Sequence, residues 1–435
     1  QDAFIQRVKF ISSHALYAFW IGYGLVFGLA LMDHLFRGNV YARWLVFGAA
    51  LALPLVPLRE NMANRELIRR YGGAEQNGHD FGWQFGNYQL RGADAINEEL
   101  EPEEEPLPNP HFPEEMTRDA IFFGGTDPGR FVPTYMIYSA HVREDVYLIT
   151  QNALADNTYM SVMRDLYGDR IWIPAQPDSA LAFKTYVEEV KSGKRPRNAQ
   201  LRIEGGRVQV SGALGVMEIN GILARQIFDH NIYRHDFYVE ESYVIRWMYP
   251  HLEPHGLIMK INEDAGKEHL TPDVVRNDTD FWDWYTRRLM SNRKFLRDVV
   301  ARKSFSKLRS AIGGLYASRG RLPQAENAFR EARMLYPLSP EANFRLVQEV
   351  FMRQRRLAEA REVMQEFGEQ DPGNRKVPDF LKHLDGLKKL EQRRTELEQK
   401  MKSGQLDLNS ALELAHVYQQ SRMMPGGGFE RVEIG

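Results

Sequence analysis

Residues 120–137 read AIFFGGTDPGRFVPTYMI. The apolar run Ala120–Phe123 predicts a short buried strand. The loop Gly124-Gly125-Thr126-Asp127-Pro128-Gly129-Arg130 follows it. The pattern then predicts a helix from about Pro133 to His141, because proline is preorganised for a first helical turn. Val146–Thr150 predicts a second strand, followed by the polar loop 151–157 (QNALADN) and a helix over 158–167 that stops at Gly168. Ile171-Trp172-Ile173 predicts a third strand, and a helix capped by Asp178 or Ser179 runs to Gly193. Strand and helix alternating at this spacing predict parallel crossover units. Further along, 201–203 and 208–210 flank Glu204-Gly205-Gly206-Arg207, a hairpin signal. Leu214–Phe228 reads as an amphipathic helix, and Phe237–Val239 and Leu257–Ile261 as strands. Residues 115–265 therefore read as one soluble α/β domain with a mostly parallel sheet.

In an open parallel sheet, ligands bind at the carboxyl ends of the strands. Loops 124–130 and 151–157 leave the carboxyl ends of consecutive strands, so they share one rim. They offer Thr126, Asp127, Arg130, Asn152, Asp156 and Asn157 as candidate substrate-binding residues. Glycines 124, 125 and 129 permit close backbone approach. Carboxylates, amides and one guanidinium suit a polyhydroxyl or phosphorylated ligand. The same residue types also cap helices and tie turns. The loop is neither GxGxxG nor a P-loop, so no nucleotide motif is present. His251 and His255 are separated by Leu-Glu-Pro, and Pro254 breaks the one-face geometry that a helical metal pair needs. No metal and no cofactor is expected. The cluster Phe281-Trp282-Asp283-Trp284-Tyr285 reads as packing, with sugar stacking as the alternative. Glu240-Glu241 follows a strand and reads as a solvated turn, with an acid or base role as the alternative.

Upstream, Ala15–Met32 (ALYAFWIGYGLVFGLALM) carries no charge over 18 residues. At about 1.5 Å per residue this nearly spans a hydrocarbon core of about 30 Å. After the turn DHLFRGN, Trp44–Leu58 is a second apolar run that Val40–Ala42 extend. Residues 1–60 thus predict two transmembrane helices, 15–32 and 40–58. A signal-peptide core is shorter. Gly24 and Gly28 form a GxxxG pair, and Pro54 and Pro57 predict a kink. A hairpin puts both flanks on one side of the bilayer. Arg7, Lys9, Arg59, Arg65, Arg69 and Arg70 on those flanks, against Arg37 and Arg43 in the turn, lean towards a cytoplasmic soluble part. Residues 61–114 read as a juxtamembrane segment ending in EELEPEEEPLPNP (98–110), an acidic, proline-broken, solvated linker. The chain opens at Gln1 rather than methionine, so an upstream segment is expected.

The chain has 435 residues, a net charge of -2 and no cysteine. That balance argues against a nucleic-acid partner. The lack of cysteine removes disulfides, thiolate metal sites and thiol nucleophiles. Residues 266–305 read as connecting helices. Over 306–422, Ile312-Gly313, Tyr316, Gly320, Ala325, Phe329, Ala332 and Pro337 match one tetratricopeptide repeat. A second copy follows at a period of 35, with Leu322/Leu357, Ala325/Ala360 and Pro337/Pro372 in register. A charged helix over 378–402 and a further first helix at Leu414-Ala415 and Tyr418 come next. Such repeats bind a partner protein or pack on their own domain. Residues 423–435 read as a disordered tail.

Several long stretches resemble one family. They are HDFGWQFGNYQLRGADAI (79–96), AIFFGGTDPGRFVPTYMI (120–137), DVYLITQNALADNTYMSVMRDLYGD (145–169) and FYVEESYVIRWMYPHL (237–252). With the terminal repeats, they resemble the bacterial polytopic membrane family catalogued as domain of unknown function 2723. That family is similar to glycosyltransferases of the protein O-mannosyltransferase type. The resemblance implies a lipid-linked sugar donor and transfer to protein or another extracytoplasmic acceptor. It also implies a bacterial inner-membrane location with the soluble part in the periplasm, against the charge count. The soluble domain would then assist substrate recognition in the C-terminal part of a larger enzyme. In such enzymes the catalytic acid lies in an early extracytoplasmic loop between membrane helices. No Asp-Asp or Asp-Glu loop stands between the two apolar runs here, so no catalytic residue is assigned. The alternative is a non-enzymatic scaffold anchored in membrane lipid that recruits partners through its helical repeats.

Overall fold

The computed structural model describes residues 11–66, 68, 77–125, 127–195, 200–204, 207–211, 213–240, 245–266, 268–405 and 407–422. It falls into two compact units. One is built mainly from the residues up to Gly78 and the other from His79–Leu296 and Val300 onward.

The first unit holds α1 (Ile11–Leu35), α2 (Val40–Ala52) and α3 (Leu55–Ala63). Ala15–Leu35 and Val40–Ala63 are each long and apolar enough to cross a membrane, and neither is buried. Trp20, Phe27, Trp44 and Leu51 stand outward and are largely exposed. Between the two, Asn39 caps α2 by accepting the Ala42 N–H at 3.1 Å, and Arg43 pairs with Asp33. Leu53 and Pro54 keep helical dihedrals, but the hydrogen-bonded ladder is interrupted between α2 and α3, where proline removes a donor.

The second unit opens with α4 (Phe81–Glu99), which bends at Gly92. Gly92 has φ of +54°, and any Cβ there would strike the Pro113 and Glu114 carbonyls. The adjacent Ala93 N–H donates to Pro113 O at 2.7 Å. The bend is thus a close approach of backbone to backbone that only glycine permits. The acidic stretch after α4 is strapped down rather than free. Glu104 receives two hydrogen bonds from Arg288, the Trp284 indole donates to Glu105 O, and Leu107 is buried.

A five-stranded sheet follows, in the order β2-β1-β5-β7-β6. Its strands are β1 (Ile121–Gly124), β2 (Tyr147–Thr150), β5 (Phe237–Val239), β6 (Leu252–His255) and β7 (Ile258–Ile261). The chain also contains α5 (Phe131–Tyr138), α6 (Asn157–Tyr167), α7 (Gln176–Lys191) and α8 (Ala213–Asn231). A separate antiparallel pair, β3 (Gln200–Glu204) and β4 (Arg207–Ser211), sits between α7 and α8 in sequence.

The expectation of a mostly parallel α/β sheet is corrected by this topology. Only β2, β1 and β5 run parallel, while β7 is antiparallel to β5 and β6 to β7. The sheet is small and mixed within a mainly helical chain. Two local causes explain the difference. Leu252–Ile261 doubles back about Gly256, whose φ is +63°, and adds two antiparallel strands. Ile171–Ile173, expected as a third parallel strand, pairs with no strand among the described residues. The Asn231 side chain takes the place of a neighbour: its Oδ1 accepts the Trp172 N–H at 2.8 Å and its Nδ2 donates to the Trp172 carbonyl at 2.9 Å.

Both sheet faces are covered. Phe123, Ile149 and Val239 join the larger core, and Phe122, Leu148 and Tyr238 pack with Leu90, Met136 and Ile137 on the other face. The remaining elements are α9 (Pro272–Ser291), α10 (Arg293–Arg297), α11 (Val299–Ser318), α12 (Leu322–Leu335) and α13 (Pro340–Arg345). A π-type turn at Leu346–Phe351, then α14 (Leu357–Gln370), α15 (Lys376–Lys402) and α16 (Leu408–Arg422), complete it. Phe281, Trp282, Trp284 and Tyr285 on α9 are all buried, which settles that cluster as packing. Small residues let the helices cross: Gly313 on α11 lies directly against the Phe329 ring on α12. Arg309 on α11 is buried and bridges Asp278 of α9 (2.9 Å) and Glu331 of α12 (2.6 Å), with the Tyr316 hydroxyl donating to Asp278 at 2.8 Å.

Candidate functional site

The three parallel strands bring their carboxyl ends to one rim. Gly124 of β1 stands opposite Thr150 of β2, and Phe123 opposite Val239 of β5. The loops that leave this rim are the glycine-rich segment after β1, the turn after β2 and the segment starting at Glu240.

Glu240 organises the first of these loops. Its N–H extends the ladder by donating to Phe123 O at 3.1 Å. Its carboxylate is fully buried and accepts the Gly125 N–H at 2.8 Å. The chain makes a single 3₁₀ turn at Asp127–Gly129, which sets the Gly129 Cα against that carboxylate with no room for a side chain. Gly124 has no room either, since a Cβ there would meet the Gly129 carbonyl at 2.6 Å. The glycines thus serve the protein's own carboxyl group. Burial pushes the Glu240 carboxyl up to about 7, opposed by the Lys307 charge and by the Gly125 N–H. The solvated turn expected at Glu240-Glu241 is therefore corrected for Glu240, which lies in the core; Glu241 falls outside the described residues.

The loop after β2 is tied by a residue from another element. Asn220 on α8 is buried, donates from Nδ2 to the Asn152 carbonyl at 3.0 Å and accepts the Ala155 N–H at 2.7 Å. Asp156 caps α6 by accepting the Thr158 and Tyr159 amides at 2.7 and 3.1 Å. The Tyr159 hydroxyl accepts the Thr150 N–H at the end of β2 at 2.5 Å. Gln151 is buried in the turn, and neither atom of its amide has a partner among the described residues.

The sequence candidates therefore divide. Arg130 is exposed at the rim, with its guanidinium 5.3 Å from the centre of the Phe131 ring. Asn152 is half-buried and Asn157 is exposed at the first turn of α6. Asp156 is committed to its cap. Thr126 lies outside the described residues, and Asp127 opens the 3₁₀ turn. Sequence reasoning passed over Gln151 and Asn220. Asn220 had a legible signal: like Asn231, it is an amide set among the apolar residues Ile219, Leu223 and Ile227 that α8 carries into the core. The two histidines are taken up by carbonyl groups. His251 Nδ1 donates to Asn262 O at 2.9 Å and His255 Nε2 to Glu114 O at 2.8 Å, and burial pushes His255 down to about 4. Among the described residues no group of three or more His, Asp or Glu is placed to hold a metal ion.

Neither the family models, nor the curated proteins, nor the solved structures contain a match to this chain.

Proposed function

We propose that this chain works at a membrane, as part of a glycosyltransferase-like protein whose soluble unit helps to receive the substrate of a lipid-linked sugar transfer. The observation that carries the membrane half is the pair of apolar helices, Ala15–Leu35 and Val40–Ala63, with no buried face. Side chains such as Trp20, Phe27 and Leu51 have no water-compatible reason to stand outward on a long helix. The transfer half rests on the long motifs that resemble the polytopic family. It is supported by the rim, where the buried carboxyl of Glu240, the amide of Gln151, without a partner among the described residues, and the outward guanidinium of Arg130 lie on adjoining loops. An inner-membrane setting with the soluble unit in the periplasm belongs to the same reading.

The test has two parts. The full chain should sediment with membranes after alkaline carbonate washing, and release into the supernatant would end the membrane reading. With a polyprenyl-phosphate-linked sugar as donor, Arg130→Ala and Gln151→Leu should lower transfer without changing the melting temperature. Unchanged transfer by both folded variants would remove the rim from the mechanism.

A further inference from the structure

α5 is apolar on both of its faces apart from Thr134, whose hydroxyl donates to the Arg130 carbonyl at 2.6 Å. Pro133, Met136 and Ile137 point into the core. Phe131, Tyr135 and Tyr138 fall at i, i+4 and i+7, so they form one stripe on the opposite face. They are 57%, 57% and 45% exposed. A helix with apolar residues on both faces belongs in a core or in a membrane, yet Phe131, Tyr135 and Tyr138 stay about half exposed among the described residues of the second unit. The contact between the Tyr138 and Tyr167 hydroxyls joins α5 to α6, which adds Val162 and Leu166, a further exposed apolar pair at i and i+4. Arg130 stands at the amino end of the stripe. Phenyl and phenol rings beside a guanidinium are the side chains that favour the headgroup layer of a bilayer, where ring bodies meet acyl chains and polar tips meet water and phosphate.

We propose that the outer face of α5 rests on the bilayer interface, the occupant being lipid rather than another protein. This builds on the membrane reading above. The chain itself supplies the argument for lipid. Residues 64–80 separate the last membrane-compatible helix from α4. A fully extended chain of that length reaches no more than about 60 Å. A tethered patch meets the surface at an effective concentration on the order of millimolar, so a stripe too small to bind lipid unaided is sufficient.

The chain contains no cysteine, so a single one can be placed at will. Tyr135→Cys, or Phe131→Cys should the first variant melt early, is labelled with an environment-sensitive fluorophore. The full chain is reconstituted in phosphatidylcholine–phosphatidylglycerol vesicles containing a headgroup-level nitroxide lipid. Glu362→Cys, on the exposed face of α14, is the reference. The label on α5 should be quenched by the nitroxide lipid at least about threefold more than the label at 362, and should be correspondingly shielded from a water-soluble quencher. Equal behaviour at the two sites overturns the proposal. So does a label on α5 that is shielded from both quenchers, which would mean that protein covers the face. Carbonate extraction of the same samples separates the two readings: a chain that stays in the membrane while its α5 label remains in water sinks this inference and leaves the membrane reading standing.

Discussion

The Glu240 carboxylate fills the space that a side chain on Gly129 would need. The clash is steric and specific to this pair. Gly129→Ala should therefore cost about 1–3 kcal/mol, the usual range for overpacking. Because the clash disappears when the carboxylate does, Gly129→Ala and Glu240→Ala should couple, with the double variant losing less than the sum of the two. Chemical denaturation of the four proteins in the cycle checks it, and strict additivity would contradict the described packing.

The same carboxyl sets a pH dependence. Burial raises Glu240 from 4.5 to about 7 in the folded protein. Between those two values the unfolded chain has released a proton that the folded protein retains. Stability contributed by this group is thus complete below about pH 4.5 and is lost as pH rises towards 7, by an amount on the order of 3 kcal/mol. Glu240→Gln cannot titrate, so its stability should fall less than that of the wild type between about pH 5 and about pH 8. Parallel pH profiles for the two proteins would show that Glu240 does not carry the effect.

Arg309 lies between two buried carboxylates, Asp278 and Glu331. Removing it leaves both without their cation in a site closed to water. Arg309→Met should destabilise the second unit by about 3–5 kcal/mol, the usual loss when one partner of a buried pair goes. Adding Asp278→Asn and Glu331→Gln to that variant should restore part of the loss, which denaturant titration can read.

Charge in the apolar helices should interfere with membrane integration. Leu25 lies mid-way along Ala15–Leu35 and Leu51 mid-way along Val40–Ala63. An arginine at such a position costs about 2.5–3.5 kcal/mol on insertion scales. Leu25→Arg and Leu51→Arg should each shift protein from the carbonate-resistant pellet to the supernatant. The conservative Leu51→Ile should not.

The local parts of this structure were legible and the long-range parts were not. The Ile121–Gly124 strand, the helix entered after Arg130 and the cap at Asp156 are each announced by residues within a few positions. Strand direction is not. Leu252–His255 becomes a strand only because Gly256 turns the chain back and the neighbouring strand supplies partners, and its Pro254 argues locally against it. Ile171–Ile173 has the composition of a strand, but its backbone partner is a side chain 59 residues away. The candidate site shows the same division. The sequence places two polar loops on one rim, but it does not reveal that the glycines of the first loop fold around Glu240, since that carboxylate is 115 residues from the Gly125 amide it accepts.

The central strand also governs how the protein is made. Asp119, just before β1, accepts a hydrogen bond from His235 Nδ1 at 2.7 Å, across 116 residues of intervening chain. A ribosome adding roughly 5–20 residues per second needs about ten seconds to cover that distance. Until then β1 lacks its partner on the β5 side. A piece ending before β5 would leave the β5-facing edge of β1 unpaired, so we expect it to be less soluble than the full chain.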